Sequence, residues 1–306
     1  MSDWIISIAN TPAGSNVALG LALFAAVMHA IFGALQKGKY DPWIMRGAMD
    51  FCYGIIAAPI ALFMVPWPEP HMWLIFIGMF VLHVIYKVTQ GMAYSHGAYT
   101  VVYPVVRGLG PLFTVLAAGV VFGEHFGAVQ WAGVVLLTVS ILMLARLNLK
   151  RAKRSGIKLE SDELKLALAW AVAAGFMVAA YTTYDAYGIR ATLNPFTFLA
   201  WFFFIDGLSV FPWVAALRWR GMENRPDVAP LMMRGLIGGI VAYFSFGAVM
   251  LATRLDKVGE AAVLRETSPI FAALIGWLFL KETVGVTRAI FMGLIAMGAV
   301  LVEFGG

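Results

Sequence analysis

Seven ionisable side chains, Asp50, Lys87, Arg107, Asp185, Asp206, Arg265 and Glu266, fall inside stretches whose other residues are almost all apolar. A charge at the middle of a membrane helix costs about 2.5–3.5 kcal/mol on insertion scales, so each needs a partner, water or a task. Arg107, Arg265 and Lys87 could hold a carboxylate or phosphate through charge-assisted hydrogen bonds. Asp50, Asp206 and Glu266 could carry a proton. Tyr86, Tyr103, Tyr181 and Tyr184 could cover an apolar or cationic part of the same ligand.

The arginines recur in a pattern. Residues 101–127, VVYPVVRGLGPLFTVLAAGVVFGEHFG, and residues 259–285, GEAAVLRETSPIFAALIGWLFLKETVG, align at a constant offset of 158. That offset matches Arg107 with Arg265, Pro111 with Pro269, Glu124 with Glu282 and Gly127 with Gly285. Apolar helices avoid Arg and Pro, so apolar composition alone does not produce the match, and the segment reads as an internal duplication. A helix-breaking Pro close to an Arg in both copies predicts broken or bent spans around a central site. A second offset, 153, matches Pro42 with Pro195, Gly54 with Gly207 and Pro59 with Pro212.

Other polar residues fall at helical spacing. His83, Tyr86, Lys87, Gln90 and Tyr94 make one stripe on an otherwise apolar segment, which must face protein or water rather than lipid. Thr100, Tyr103, Arg107 and Thr114 share a face beside Pro104, Gly108, Gly110 and Pro111, where a loosened backbone could contact a ligand. His29 and Gln36, Asp50 and Tyr53, Tyr181 with Tyr184 and Asp185, and Asp206 with Ser209 add to the set. The candidate substrate-binding residues are therefore His29, Asp50, His83, Tyr86, Lys87, Gln90, Tyr103, Arg107, Tyr181, Tyr184, Asp185, Asp206, Arg265 and Glu266.

Each has a purely structural reading as well. Arg107 and Arg265 could pair with Asp50, Asp206 or Glu266, and Arg46 with Asp50 as an i, i+4 pair. Glu266 adjoins Arg265 in sequence, which on a helix turns it to a different face. His29 and His83 could be hydrogen-bonded core residues instead of proton carriers. Glu124 and Glu282 sit where apolar segments end, which favours helix-end or loop contacts. The sixteen methionines read as packing material.

The elements that must position these groups follow from composition. Of 306 residues, 61% are apolar and 13% charged, with a mean hydropathy of +0.82, against roughly 25% charged residues in soluble domains. Stretches of about 20 apolar residues predict membrane-crossing helices. Strand-like alternation is absent, which argues against a membrane barrel. Ten spans are expected at 16–36, 43–65, 71–95, 98–122, 127–146, 164–187, 196–217, 229–253, 258–280 and 284–303. The fold class is therefore an all-α integral membrane protein. Its ten helices form two five-helix repeats, 1–146 and 164–306, joined by a basic linker at 147–163. An odd number of spans per repeat makes the two copies inverted in the membrane.

Sixteen of the 22 Lys and Arg residues flank the side bearing the linker and three the other. This predicts a cytoplasmic linker and both termini outside, in a multi-pass protein of the cytoplasmic membrane. A pI near 9.3 thus reads as topology, and no nucleic-acid partner is expected. The first 15 residues lack a basic start, so no cleaved leader is expected. The single Cys52 excludes an internal disulfide and reads as a small buried residue. Spans 5 and 10 carry almost no polar groups, so they are expected at the periphery, facing lipid or supporting a homodimer.

With ten spans, a two-half repeat, Pro111 followed by Gly123-Glu124 and Pro269 followed by Lys281-Glu282, the chain resembles the EamA family of the drug/metabolite transporter superfamily. The resemblance covers nearly the whole sequence and implies transport of a small molecule; the family's substrates include amino acids, amines, drugs and other metabolites. Many members are thought to keep both termini in the cytoplasm, the reverse of what the charges predict here. The expected function is a secondary carrier working by alternating access. The basic residues favour an amino-acid-like or anionic metabolite, and the aromatic residues with Asp206 an organic cation as the alternative. No HExxH, GxSxG or phosphate-cradling glycine loop occurs, so neither enzyme chemistry, metal, cofactor nor ATP drive is expected. A channel is the remaining class.

Overall fold

The computed structural model describes residues 2–36, 40–97, 99–154, 161–280 and 285–306. Every regular element among them is helical: α1 (Ser2–Ile8), α2 (Pro12–Gln36), α3 (Pro42–Pro59), α4 (Met72–His96), α5 (Tyr99–Phe122), α6 (Ala128–Arg154), α7 (Ser161–Ala191), α8 (Pro195–Gly207), α9 (Val210–Gly221), α10 (Val228–Leu255), α11 (Val258–Arg265), α12 (Ser268–Leu280) and α13 (Val286–Phe304). Nine helical segments among the described residues are long and apolar enough to cross a membrane, with α8 and α9 counted as one. The pair α11 and α12 covers 258–280 and supplies the tenth span. The short α1 has no counterpart among the expected spans; its Ser2 hydroxyl donates to Asn194 Oδ1 at 2.9 Å. Expected features at Lys281 and Glu282, in the linker at 155–160, and at the side chains of Gln36, Thr100 and Pro104 lie outside the described residues.

The 153-residue repeat is visible in how two helices begin. Asp41 caps α3, accepting from Trp43 N at 2.9 Å and Ile44 N at 3.2 Å, with Pro42 in the first helical position. Asn194 caps α8 in the same way, from Phe196 N at 3.0 Å and Thr197 N at 3.4 Å, with Pro195 following. In both, a side-chain oxygen satisfies amides that have no partner in the first turn, and proline occupies a position that needs no N–H.

Three spans are irregular. The second ends after Pro59 in a π-helical turn, Ile60–Met64. The seventh, expected as one helix, breaks at Leu208 and Ser209, where the Ser209 hydroxyl turns back to the Asp206 carbonyl at 2.8 Å. The ninth breaks between α11 and α12. There the amides of Glu266 and Thr267 bond to Val263 O and Leu264 O, tightening the last turn, and the Thr267 hydroxyl takes Leu264 O at 2.7 Å. Side chains that bond to nearby backbone compete with helix continuation, and Pro269 then enters the first turn of a new helix.

The fourth span departs from expectation, because α5 runs unbroken through Pro104 and Pro111. Between its Arg and Pro stand Gly108, Leu109 and Gly110, none of which can cap a break as Thr267 does. The Thr114 hydroxyl bonds to Gly110 O at 2.8 Å, and membrane helices tolerate a proline where neighbours re-satisfy the backbone.

The chain forms two compact units, residues 1–84 with 184–256 and residues 85–183 with 257–306. Each takes helices from both halves of the sequence, and α4 and α7 contribute to both units. In the first unit α10 packs on α2 and α3, and α3 also packs on α8 and α9. Close approach there depends on glycine. A Cβ on Gly207 would lie 2.6 Å from Gly54 Cα and 2.7 Å from Asp50 O, so the two glycines matched by the 153-residue repeat pack backbone to backbone. In the second unit α6 packs on α5 and α13. The α6–α13 contact brings Gly133 and Gly298 together: a Cβ on either would stand 2.6 or 2.8 Å from the other's carbonyl oxygen. Small residues let membrane helices approach this closely. The fifth and tenth spans therefore pair with each other, while Val135, Val139, Ile290 and Val300 remain exposed on their outer faces.

Glu124 joins the loop after α5 to α11. Its carboxylate accepts from Val258 N at 2.7 Å and Gly259 N at 3.0 Å, capping the amides at the start of α11 and placing negative charge at that helix's positive end. Glu124→Ala is expected to destabilise the protein by about 1 kcal/mol, as loss of a cap does. A lowered midpoint of thermal unfolding in detergent checks it.

Candidate functional site

The polar residues collect in two clusters, one in each unit. In the second unit, Arg107 from α5 and Arg265 and Glu266 from the end of α11 are 3%, 2% and 1% exposed. Arg107 Nε lies 2.8 Å from Glu266 Oε2, and Arg265 Nε lies 3.5 Å from Glu266 Oε1. One carboxylate thus stands between the two arginines matched by the 158-residue repeat. The sequence expectation that Glu266 turns away from Arg265 does not hold. The helix has ended, Glu266 has left helical geometry at φ −76° and ψ 2°, and adjacent side chains are no longer held to separate faces.

Arg107 is the less satisfied of the two. Its Nη2 is buried and finds no hydrogen-bond partner among the described residues. Its guanidinium carbon lies 5.9 Å from the centre of the Tyr103 ring, and Tyr86 and Tyr181 are within its electrostatic reach. Those two tyrosines pack against each other with ring centres 4.7 Å apart, and Gln90 Nε2 donates to the Tyr86 hydroxyl at 2.6 Å. Lys87, one position along α4 from Tyr86, is buried in the same unit. Counting Arg107, Arg265, Lys87 and Glu266, the buried charges of this unit's candidate residues sum to two positive.

The first unit holds the acidic residues. His83 on α4 stands between Asp185 on α7, with Nε2 to Oδ2 2.9 Å, and Asp206 at the end of α8, with Nδ1 to Oδ1 4.0 Å. The Tyr53 hydroxyl from α3 donates to the other oxygen of Asp206. Asp50, one turn before Tyr53, pairs with Arg46 at 2.8 Å, the i, i+4 ion pair that the spacing allows. His29 on α2 packs among Phe32 and Phe246 at 5.8 and 6.1 Å between ring centres. Tyr184 turns to Gly78, where its hydroxyl occupies the space a Cβ would need. An apolar groove of about 510 Å³, lined by Phe51, Ile55, Trp213 and Trp219 among others, also lies in this unit. It has no charged lining residue and is remote in character from either cluster.

Tyr53, singled out in the sequence as a polar residue of the second span, was not carried into the list of candidate substrate-binding residues. The signal was present: Tyr53 and Asp206 are themselves 153 apart, as Gly54 and Gly207 are. Positions equivalent under the repeat meet each other in this unit. Among the described residues no group of three or more His, Cys, Asp or Glu is placed to hold a metal ion.

Comparison with known proteins agrees with this architecture. The model of the EamA-like transporter family matches residues 16–146 and again 165–304, one match on each side of the linker. An uncharacterized transporter of Bacillus subtilis (strain 168), YdfC, is similar to this chain at 30% identity over 122 residues. That match covers 39% of this chain and 38% of the relative, so the chain aligns with well under half the relative's length. A solved crystal structure is similar across 95% of this chain and 98% of its own, with a TM-score of 0.71 at 18% identity, a likeness of fold. With a buried Arg–Glu–Arg cluster, repeated helix starts and two matches to one family, the chain belongs to the EamA-like transporter family of the drug/metabolite transporter superfamily.

Proposed function

We propose that this transporter carries a small anionic metabolite, most simply an amino-acid-like carboxylate, across the cytoplasmic membrane by alternating access. The observation that carries this reading is the buried Arg107 Nη2, which lacks a hydrogen-bond partner among the described residues while its guanidinium and that of Arg265 share one carboxylate. A buried donor left unmade costs roughly 1–3 kcal/mol, more when charged, and a ligand carboxylate or phosphate removes that cost. Tyr86, Tyr103 and Tyr181 supply apolar ring surface beside the charge for the rest of such a ligand. The linker lies in the cytoplasm and both termini outside, as the basic loops direct.

An organic cation is the second reading, favoured by the Asp206 carboxylate among the rings of Tyr53, Phe202 and Phe203. Counterflow into proteoliposomes separates the two. Labelled amino acids, dicarboxylates and phosphorylated metabolites are tested beside quaternary amines. Saturable counterflow of an anionic or zwitterionic solute is expected. Counterflow of amines alone overturns the anion reading, and ohmic current without saturation overturns the carrier.

A further inference from the structure

Arg107 and Arg265 are related by the repeat, and the carboxylate between them is not. The 158-residue offset that matches the two arginines, and Pro111 with Pro269, sets Gly108 opposite Glu266. The first copy is closed to a longer side chain at that place. A Cβ on Gly108 would lie 3.2 Å from Leu142 Cδ2 and 3.3 Å from Ile141 Cγ2 on α6, both tight contacts. One copy therefore supplies an arginine alone, and the other an arginine with a carboxylate.

The Glu266 side chain does not end α11. Backbone groups do that, through Glu266 N to Val263 O at 3.0 Å and Thr267 N to Leu264 O at 3.1 Å, and the Thr267 hydroxyl adds its own bond to Leu264 O at 2.7 Å. The side chain turns to the arginines, in a residue only 1% exposed. Its printed contacts there are of charge rather than of hydrogen-bond geometry. Glu266 Oε2 stands 2.8 Å from Arg107 Nε and Oε1 3.5 Å from Arg265 Nε, yet neither Nε nor Oε2 makes an aligned hydrogen bond. A carboxylate that only tied the arginines into the fold would take their N–H groups along the paired directions of the guanidinium fork. Burying a carboxylate carries a large desolvation penalty even beside a cation, so its presence here calls for a reason.

Its position gives one. Nε and Nη2 belong to one rigid, planar guanidinium, so a ligand carboxylate that reaches Arg107 Nη2, unpartnered among the described residues, comes within a few ångströms of Glu266. Arg107 answers that first charge. A second negative charge on the same small molecule meets Glu266 where water does not screen the repulsion. The aromatic surroundings do not relieve it, since ring faces carry partial negative charge. Lys87 on α4 has interactions of its own, and the charges that act on Glu266 are those of the two arginines.

We infer that Glu266 is a specificity-determining residue that reads the charge of the substrate: it tolerates one carboxylate and disfavours a second, or a doubly ionised phosphate. This narrows the anion reading above and rests on it.

The test uses full-length protein in proteoliposomes and counterflow of the labelled anion identified by the panel above. Unlabelled competitors come in pairs that differ by one carboxylate on the same skeleton: glutamine and glutamate, asparagine and aspartate, butyrate and succinate. In the wild type the member with one carboxylate is expected to compete at roughly tenfold lower concentration or less, as like-charge juxtaposition predicts. In Glu266→Gln that preference shrinks by roughly tenfold or more, and in Glu266→Asp, which keeps the charge, it persists. Glu266→Met is the second neutral variant if Glu266→Gln does not fold. Equal competition by both members in the wild type overturns the inference, as does a preference unchanged in the neutral variant. A gain by the same factor for both members also overturns it, because Glu266 would then obstruct the site without reading charge. Lack of competition by every member overturns it as well. Each of these outcomes leaves the carrier standing, whereas absence of counterflow by any anion overturns the anion reading and this inference together.

Discussion

Replacing Arg107 by alanine is expected to weaken the apparent affinity for the transported anion by about 2–5 kcal/mol, roughly 30-fold or more. Two effects add in the same direction. The substrate loses a charge-assisted partner at Nη2, and Glu266, 2.8 Å from Arg107 Nε, keeps only the longer 3.5 Å approach to Arg265. The second effect matters because a buried carboxylate left with less compensation repels an incoming anion. Arg107→Lys keeps the charge but not the planar fork, and is expected to fall between the two. Arg265→Ala removes the partner on the other side of the same carboxylate and is expected to lower affinity less, since Arg265 is the more distant of the two. Concentration dependence of counterflow in proteoliposomes reads all three, with elution as a single sharp peak in detergent showing that each variant is folded. Unchanged affinity in Arg107→Ala would remove the arginine cluster from substrate binding.

The largest expected effect on stability comes from a methyl group. Gly207→Ala places a Cβ 2.6 Å from Gly54 Cα and 2.7 Å from both Asp50 O and Gly54 N. Every obstacle is backbone, so no side chain can swing aside, and α3 and α8 must separate. Overpacking of a close contact costs about 1–3 kcal/mol, occasionally more. The strain does not stay local. Gly207 adjoins Asp206, and Gly54 adjoins Tyr53, so moving the helices apart stretches the hydrogen bond between those two side chains. Gly20→Ala, on the exposed side of α2 with nothing within 4 Å of the new atom, is the matched control. It is expected to be neutral or slightly stabilising, because alanine favours a helix interior by about 1 kcal/mol over glycine. Thermal unfolding in detergent compares the pair. Equal midpoints would mean that α3 and α8 are not packed as tightly as described.

Much of the molecule is legible without coordinates because the membrane makes polar residues conspicuous. The stripe of His83, Tyr86, Lys87 and Gln90 is buried as its helical spacing requires, and Arg107 and Arg265 share one carboxylate as a duplicated site suggests. What spacing could not supply is the partner of each charge. Two aspartates and a glutamate were open to the arginines, and choosing Glu266 requires knowing that α11 stops at Arg265. The breaks themselves were legible only in part. Proline marks two equivalent places, yet the residues before it decide the outcome: Glu266, Thr267 and Ser268 end a helix where Gly108, Leu109 and Gly110 do not. The Tyr53–Asp206 contact was hidden for another reason. Helical periodicity describes one helix at a time, whereas these residues meet because they occupy the same place in two copies of a repeat.

The close seating of α6 on α13 fixes an order of events during synthesis. Gly133 leaves the ribosome 165 residues ahead of Gly298, the glycine it packs against. At translation speeds of about 5–20 residues per second, that separation amounts to roughly 8–33 s. During that interval the groove on α6 is inserted in the bilayer with only lipid tails to fill it. A nascent chain stalled or truncated before residue 286 therefore presents a narrow glycine cleft to the membrane, the kind of unfinished surface that insertion and quality-control machinery can distinguish from a completed protein.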